Sequence, residues 1–269
     1  MIKLIVSDLD GTLMNHARQI EKRDLDAIES ALNEDLELCI ASGRMYSEIK
    51  MIMQQLTERY YAIGQNGATV YNKEIELLAS YVFEPEVSSR VLQTTRSFEQ
   101  FVNFIHCTDD TFYIRKRTEA SLSYENRILT ACTERGDVET ALANNEMRCS
   151  KISFFGELNH LMQMKNELND LFTGAIETFI SDKDCLDVMP LNVSKGVGLS
   201  LLMSKLGLHP SEVACIGDSF NDLSMFAITE HSYAMSSSHA EIKQKASYTV
   251  QSVAEAIDHI LTYNRSLQQ

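Results

Sequence analysis

The amino-acid sequence predicts an α/β fold in which a doubly wound parallel sheet is interrupted by an inserted α+β region. Short apolar runs alternate with amphipathic segments from the N-terminus to about residue 83. Neighbouring strands mixed with helices follow, and the first rhythm returns after Pro190. Strands that alternate with helices are typical of a parallel sheet, whereas grouped strands indicate an α+β arrangement. We therefore expect a core formed by residues 1–83 and 189–269, with residues 84–188 inserted between its two parts.

The first part of the core is predicted to contain three strands and two helices before the chain reaches the insert. The apolar residues Leu25, Ile28 and Ala31 recur with the period of a helix. The turn signal Gln65-Asn66-Gly67 separates the third strand from an extended segment. In chain order, the predicted elements are the strand Ile2–Val6, the helix Arg23–Asn33, the strand Leu36–Ile40, the helix Tyr46–Leu56, the strand Tyr61–Ile63 and the extended segment Ala68–Tyr71.

The insert and the second part of the core are read in the same way. A hairpin is predicted around Thr108-Asp109-Asp110, and Gly207 is predicted to end a helix. In the insert we expect the helix Glu86–Phe98, the strands Phe101–Cys107 and Thr111–Arg115, the helices Leu122–Thr133 and Val138–Asn144, the strand Ile152–Phe155, the helix Leu158–Leu171 and the strands Ala175–Ile180 and Cys185–Met189. In the returning core we expect the helix Gly196–Leu206, the strand Val213–Ile216, the helix Leu223–Ile228, the strand Tyr233–Met235 and the helix Val253–Leu261.

Composition and charge narrow the class of protein. The 269 residues are 44% hydrophobic and carry a net charge of −14. Because phosphate backbones and anionic membranes attract basic surfaces, this charge argues against both as partners. A small anionic substrate responds to the local site, so it is not excluded. The six cysteines form no C-x-x-C pair, no signal-peptide pattern is seen and no apolar run is long enough to span a bilayer. We expect a cytoplasmic location.

Asp8 and Asp10 follow the first predicted strand directly, in the segment Asp8-Leu9-Asp10-Gly11-Thr12-Leu13. In open α/β sheets, ligands bind outside the carboxyl ends of the strands. Residues two apart on an extended chain point the same way, so both carboxylates are placed to act on one ligand. One can attack, the other can move a proton, and both can hold a hard cation such as Mg²⁺. Taken alone, the pair is equally compatible with a polar turn.

Three further core loops carry polar residues at strand ends or helix starts. Ser42 and Gly43 follow the second strand, Lys195 begins a helix, and the run Gly217-Asp218-Ser219-Phe220-Asn221-Asp222 follows a later strand. A hydroxyl and a glycine amide at a helix N-terminus can cradle phosphate, and a lysine there opposes the helix dipole unless an anion is bound. Each has a structural alternative, a helix cap, a solvated lysine or a polar loop. Together they supply what phosphoryl transfer needs, while the P-loop pattern is absent.

With these motifs the chain resembles the haloacid dehalogenase-like hydrolase superfamily, and within it the Cof-type phosphatases. The matching motifs are DLDGTL at 8–13, ASGR at 41–44, NGA at 66–68, SKG at 194–196 and GDSFND at 217–222. The resemblance covers essentially the whole chain. It implies a Rossmann-like core, a large α/β cap inserted after the third core strand, and Mg²⁺-dependent phosphatase activity.

The resemblance also implies a role for each carboxylate of these motifs. Asp8 would be the nucleophile that forms an aspartyl-phosphate, and it would also bind Mg²⁺. Asp10 would protonate the leaving oxygen and then activate water, while its main-chain carbonyl binds the metal. Asp218 would be the third protein ligand to Mg²⁺. Asp222 would orient Lys195 or a metal-bound water.

The phosphate contacts implied by the resemblance come from four loops. They are the main chain around Leu9, Ser42 and the Gly43 amide, Lys195, and Asn221. Arg44, the last residue of ASGR, is expected just behind these contacts. In the insert, Arg115 and Arg117 end a predicted strand and are candidates to meet an anionic substrate, although a solvated basic strand end explains them as well.

Three functions are compatible with this sequence. The leading expectation is a Mg²⁺-dependent phosphatase acting on small phosphorylated metabolites, such as sugar phosphates. A phosphomutase that returns the phosphoryl group to a sugar is an alternative. A phospho-ligand-binding protein on a retired enzyme fold is less favoured, because Asp8, Asp10, Lys195, Asp218 and Asn221 are all present.

Overall fold

The computed structural model describes residues 1–15, 17–98, 102–128 and 130–268. The chain divides into two compact units. The first comprises residues 1–42, 49–78 and 194–269, and the second comprises residues 43–48 and 79–193. The junctions lie at 78/79 and 193/194 rather than at the predicted 83/84 and 188/189, and the short segment 43–48 is grouped with the second unit.

The secondary structure begins with an alternation of strands and helices. The elements up to and across the first junction are β1 (Leu4–Ser7), α1 (Lys22–Asn33), β2 (Glu37–Ala41), α2 (Tyr46–Met53), β3 (Tyr61–Gly64), β4 (Thr69–Tyr71) and β5 (Leu77–Ser80). The elements that follow are α3 (Pro85–Thr94), β6 (Val102–Cys107), β7 (Phe112–Ile114), α4 (Glu119–Ile128), β8 (Thr133–Glu134), α5 (Val138–Ala143), β9 (Cys149–Phe155), α6 (Leu158–Leu171), β10 (Ile176–Asp182) and β11 (Cys185–Pro190). The chain then returns with α7 (Lys195–Leu206), β12 (Val213–Gly217), α8 (Leu223–Phe226), β13 (His231–Met235), α9 (Ala240–Lys245), β14 (Tyr248–Val250) and α10 (Val253–Ser266).

An eight-stranded sheet forms the centre of the first unit, in the order β14-β13-β12-β1-β2-β3-β4-β5. Neighbouring strands from β14 to β3 pair in parallel, and β4 pairs antiparallel with β3. Every residue of β1 and β12 is buried, as expected for strands that are covered on both faces. Because β1 and β12 are adjacent and parallel, the loops after their carboxyl ends lie side by side. The predicted α/β fold class is confirmed.

The second unit is built on a six-stranded sheet in the order β10-β11-β9-β6-β7-β8. Its strands pair antiparallel except for β8, which pairs in parallel with β7. One hydrophobic cluster contains residues of helices α3, α5 and α6 together with alternate residues of β6, β9 and β11. This grouping of strands with helices is the α+β arrangement predicted for the insert. Among the described residues, we find no helix with both the length and the apolarity that a membrane crossing requires.

Some element predictions need correction. The predicted helix Leu122–Thr133 is wrong at its end, because Thr133 and Glu134 form β8 against β7. A two-residue strand has no pattern of its own, and its pairing partner determines it. The elements β5, α9 and β14 were not predicted, and each has only three to six residues. Phe101 and Leu129, which fall in two predicted elements, lie outside the described residues.

Buried His106 predicts a pH-dependent stability of the second unit. Its Nε2 atom lies 2.9 Å from the Ser153 hydroxyl. Burial, aided by the charge of Lys151, holds the pKa of His106 well below its usual value. In the unfolded chain His106 binds a proton near pH 6.5, whereas in the folded chain it stays neutral at that pH. The free energy of unfolding therefore falls as the pH falls below about 6.5. This group contributes up to about 1.4 kcal/mol per pH unit.

The variant His106→Gln should therefore lose part of the acid destabilisation. Urea unfolding at pH 7.5 and pH 5.5 measures the difference between the variant and the wild type. The matched control is His160→Gln on helix α6, where the His160 side chain is exposed. An acid destabilisation that is identical in the wild type and in His106→Gln would contradict this prediction.

Candidate active site

The carboxyl ends of β1 and β12 bring two of the predicted loops together. Asp8 follows β1, and its main-chain N–H donates to the Ile216 carbonyl of β12 at 2.9 Å. Asp218 follows β12. The Thr12 hydroxyl donates to Asp218 Oδ1 at 2.9 Å and ties the two loops to each other. Gly11, with φ of +86°, allows the close approach, since a Cβ atom there would lie 2.6 Å from Asp218 Oδ2.

Lys195 lies at the centre of the site. Its Nζ atom donates to Asp8 Oδ1 at 2.6 Å and to Asp222 Oδ1 at 2.7 Å. The lysine is only 1% exposed, so its ammonium group is desolvated. Burial opposes the charge, but the carboxylates of Asp222 and Asp8 together outweigh it and raise the pKa of Lys195. The lysine is therefore a fixed positive charge, which excludes the solvated alternative left open by the sequence.

The start of helix α7 explains how the chain places Lys195. The Ser194 hydroxyl accepts from the Val197 main-chain N–H at 3.3 Å, which is the expected N-cap hydrogen bond. The Gly196 main-chain N–H donates to the Ser224 hydroxyl at 3.0 Å. A charged lysine at a helix N-terminus is electrostatically unfavourable on its own. The two carboxylates offset this cost.

Both carboxylate oxygens of Asp222 accept hydrogen bonds within the site. Its Oδ1 atom accepts from Lys195, and its Oδ2 atom accepts from the main-chain N–H groups of Asp218 and Ser219, both at 2.9 Å. The same carboxylate thus orients the lysine and shapes the turn that carries Asp218. Of the two roles expected for Asp222, orienting Lys195 or a metal-bound water, the hydrogen bond to Lys195 bears on the first, and the role itself stays a prediction.

Asp8, Asp218 and Asp222 form a cluster that fits a divalent cation. One oxygen from each lies within 4.8 Å of the others. The three carboxylates have one ammonium group among them, that of Lys195 beside Asp8 and Asp222, which leaves an excess of negative charge. Burial raises the pKa of Asp8, with Asp222 and Asp218 adding to the effect while Lys195 opposes it. Oxygen donors with surplus negative charge are the ligands that Mg²⁺ prefers. Both oxygens of Asp222 already accept hydrogen bonds, which favours Asp8 and Asp218 as the side chains that bind the cation.

Asp10 differs from Asp8 although it is only two residues away. Asp8 is 5% exposed, whereas the side chain of Asp10 is exposed. The metal contact expected of Asp10 is a main-chain carbonyl, so its side chain need not join the acidic cluster. Leu9, between them, is fully buried, and its carbonyl accepts from the Met14 N–H at 2.7 Å. The chain therefore separates a buried carboxylate from an exposed one within three residues.

Ser42 and Asn221 are linked to the site through the turn after β3. Ser42 is 1% exposed, and its carbonyl accepts from the Asn66 main-chain N–H at 2.9 Å. Asn221 Nδ2 donates to the side-chain Oδ1 of Asn66 at 3.1 Å. The sequence analysis assigned no role to Asn66. The NGA motif was the one sequence signal that singled this residue out.

Gly43 and Arg44 are grouped with the second unit. The Gly43 carbonyl accepts from Lys151 Nζ at 2.8 Å, and Arg44 pairs with Glu48 at 2.9 Å. Lys151 also lies 3.4 Å from Asp187, which accepts from the Ser153 hydroxyl at 2.6 Å. These buried polar residues were not predicted. A polar residue of a strand carries no local signal that it is buried.

Arg115 and Arg117 are both engaged within the second unit. Arg115 donates to Glu139, which also pairs with Arg96 at 3.1 Å. Arg117 donates to Glu125 at 2.8 Å and to the Cys132 carbonyl. These contacts favour the structural interpretation of the basic strand end over substrate binding.

Comparison with known proteins assigns the chain to a family. The family model described as haloacid dehalogenase-like hydrolase matches residues 5–261. An HMP-PP phosphatase of Enterobacter sp. is 25% identical over 98% of this chain and 96% of its own. The 5-amino-6-(5-phospho-D-ribitylamino)uracil phosphatase YwtE of Bacillus subtilis is 26% identical over 97% of this chain and 99% of its own.

Solved structures agree with the family match. A haloacid dehalogenase-like hydrolase from Bacteroides thetaiotaomicron superposes with a TM-score of 0.85 at 26% identity, covering 97% of this chain and 100% of that one. Another from B. subtilis superposes with a TM-score of 0.81 at 21% identity over 96% of this chain and 99% of that one, a likeness of fold. The predicted enzyme class, a phosphoric monoester hydrolase, agrees with the phosphatase relatives. The chain belongs to the haloacid dehalogenase-like hydrolase family.

Proposed function

We propose that the protein is a Mg²⁺-dependent phosphatase that hydrolyses small phosphorylated metabolites. The observation that carries this proposal is the buried Lys195, held between Asp8 and Asp222 with Asp218 beside them. A fixed positive charge, a buried carboxylate and oxygen ligands for a cation form the inventory of phosphoryl transfer. The relatives named after phosphorylated small molecules support the same class of substrate.

In the proposed first step, a carboxylate oxygen of Asp8 attacks phosphorus as the bond to the leaving oxygen breaks. Lys195 neutralises charge on Asp8 and the phosphoryl group, and Ser42, Gly43, Asn221 and the main chain around Leu9 hold the phosphoryl oxygens. Asp10 gives its proton to the leaving oxygen. The exposed position of Asp10 suits a group that exchanges protons with substrate and water.

In the second step, Asp10 accepts a proton from a water molecule that attacks the phosphorus of the aspartyl-phosphate. The bond between phosphorus and the Asp8 oxygen breaks, and inorganic phosphate leaves with Asp8 regenerated. Mg²⁺, held by Asp8, the Asp10 carbonyl and Asp218, would neutralise the phosphoryl oxygens when bound. Asp222 keeps Lys195 in place throughout.

We also assign substrate selection to the second unit. Lys151, Ser153 and Asp187 form a buried polar group on its sheet, and a buried ion pair is costly to keep for stability alone. Such a group suits the recognition of a polar group of a substrate. Arg115 and Arg117 have no part in this assignment, because their partners lie within the unit.

The test is phosphate release from a panel of phosphomonoesters with Mg²⁺ present. The panel contains p-nitrophenyl phosphate, sugar phosphates and the compounds for which the relatives are named. Turnover of at least one phosphorylated metabolite is expected. A folded protein that releases no phosphate from any compound would overturn the proposal, and isomerisation of a hexose phosphate without release would decide for a phosphomutase.

Removal of the divalent cation should abolish turnover. Chelation with EDTA is expected to stop phosphate release, and added Mg²⁺ should restore it. The variant Asp218→Asn should raise the Mg²⁺ concentration for half-maximal rate by at least about tenfold, since one charged ligand is lost. The control Asp258→Asn changes an exposed carboxylate of helix α10 and should leave the Mg²⁺ requirement unaltered. Full activity in EDTA would contradict the assignment of the metal.

A further inference from the structure

The turn after β3 has an unusual backbone. Gln65, Asn66 and Gly67 have φ values of 51°, 55° and 102° in succession. Two consecutive non-glycine residues in the left-handed region are strained by about 1–2 kcal/mol each. Gln65 and Asn66 are also buried, at 1% and 2% exposure. Strain of this kind persists only where surrounding contacts impose it, and it clusters at functional sites.

The contacts of this turn reach three loops of the proposed phosphate site. The Asn66 main-chain N–H donates to the Ser42 carbonyl at 2.9 Å, and the Asn66 side chain accepts from Asn221 Nδ2 at 3.1 Å. Gly67 lies against the start of helix α7, since a Cβ atom there would be 2.0 Å from the Ser194 carbonyl oxygen. One short turn therefore touches the loops that carry Ser42, Asn221 and Lys195.

The contact between Asn66 and Asn221 determines whether the nitrogen or the oxygen of the Asn221 amide can meet a ligand. An amide nitrogen carries two hydrogens, and Asn66 Oδ1 accepts one of them. A reversed Asn221 amide would place oxygen against oxygen. In the observed orientation, the second hydrogen of Nδ2 remains for an anionic oxygen. The Oδ1 atom of Asn221 is buried and has no hydrogen-bond partner within the described part of the chain.

We infer that Asn66 is a positioning residue for phosphate, acting through Asn221. Its left-handed backbone fixes the Ser42 loop, and its side-chain oxygen turns the Asn221 amide so that a donor faces the phosphoryl group. This inference rests on the proposed function, because it takes phosphate as the group that Asn221 meets. A role of this kind predicts that the side chain of Asn66 matters only while the Asn221 amide is present.

A double-mutant cycle on phosphate binding tests this coupling. Titration calorimetry of inorganic phosphate with Mg²⁺ present measures the dissociation constant in the wild type, Asn66→Gly, Asn221→Ala and the double variant. Glycine accepts the left-handed backbone, so Asn66→Gly removes the side chain without new strain. We expect each single variant to weaken binding at least about tenfold, as loss of an orienting contact does, and the double variant to be no weaker than Asn221→Ala.

Two further variants control the experiment. Asn145→Gly changes another left-handed asparagine, with φ of 57°, that is exposed in the second unit, and it should bind phosphate like the wild type. Asn66→Asp keeps an acceptor opposite Asn221, so removal of the Asn221 amide should still weaken binding in that background. Thermal unfolding of every variant verifies that it is folded, and Asn66→Ala, which also removes the acceptor opposite Asn221, carries the test if Asn66→Gly is not folded.

The outcomes separate this inference from the proposed function. The positioning role would be overturned if Asn66→Gly bound phosphate with wild-type affinity. It would also be overturned if the fold-increase in the dissociation constant of the double variant equalled the product of the two single-variant increases. Wild-type protein that fails to bind phosphate would overturn it as well. Phosphate binding with the predicted coupling but without turnover of any substrate would instead reject the phosphatase and leave the positioning role standing.

Discussion

Replacement of Asp8 by asparagine is expected to reduce phosphate release by at least about 10³-fold, the scale on which enzymes lose rate with their nucleophile. An amide oxygen is a far weaker nucleophile than a carboxylate oxygen and cannot form the aspartyl-phosphate. The substitution preserves the shape of the side chain and keeps an acceptor where Lys195 Nζ now lies 2.6 Å from Asp8 Oδ1. It also removes one negative charge from the acidic cluster of Asp8, Asp218 and Asp222, in which the carboxylates outnumber the single lysine.

The fold should therefore survive Asp8→Asn. Urea unfolding and circular dichroism check this, and Asp26→Asn provides a matched control, since Asp26 is an exposed carboxylate of helix α1 that pairs with Lys22. Acid quenching during turnover, followed by mass spectrometry of the peptide that contains residue 8, should detect a phosphorylated aspartate in the wild type only. A folded Asp8→Asn variant with wild-type turnover would remove Asp8 as the nucleophile.

The sequence identified the centre of this site because topology determines where its residues meet. Asp8 and Asp218 each follow a predicted strand, and the ends of adjacent parallel strands converge in any open α/β sheet. The family motifs implied that Asp222 would orient either Lys195 or a metal-bound water. They did not imply that the Lys195 side chain is fully buried, because burial depends on the packing of the whole chain around helix α7.

Other features were beyond the sequence for physical reasons. The role of Asn66 depends on a left-handed backbone and on a partner 155 residues away, and neither leaves a local pattern. The two residues of β8 are extended because they pair with the edge of strand β7. Glu139 of helix α5 pairs with Arg115, and no spacing rule relates this helix to the strand that precedes Arg115. Such contacts arise from tertiary packing, which overrides local preference.

Removal of the Lys195 charge is the second change with a large expected effect, and it acts on stability as well as activity. The variant Lys195→Met leaves the buried carboxylates of Asp8 and Asp222 without their counter-charge. Breaking a buried ion pair from one side typically costs about 3–5 kcal/mol. We expect a loss of that order in the free energy of unfolding, together with loss of turnover. The matched control is Lys205→Met, an exposed lysine in the last turn of the same helix, which should change neither.

A second substitution separates the charge effect from a packing effect. If the cost in Lys195→Met comes from unpaired carboxylates, then adding Asp8→Asn should recover part of the lost stability, because one of the two buried negative charges disappears. If the cost comes from a cavity, the double variant should be no more stable than Lys195→Met. Urea unfolding of the four proteins measures this directly. A Lys195→Met variant as stable as the wild type would contradict the view that this lysine holds the acidic cluster together.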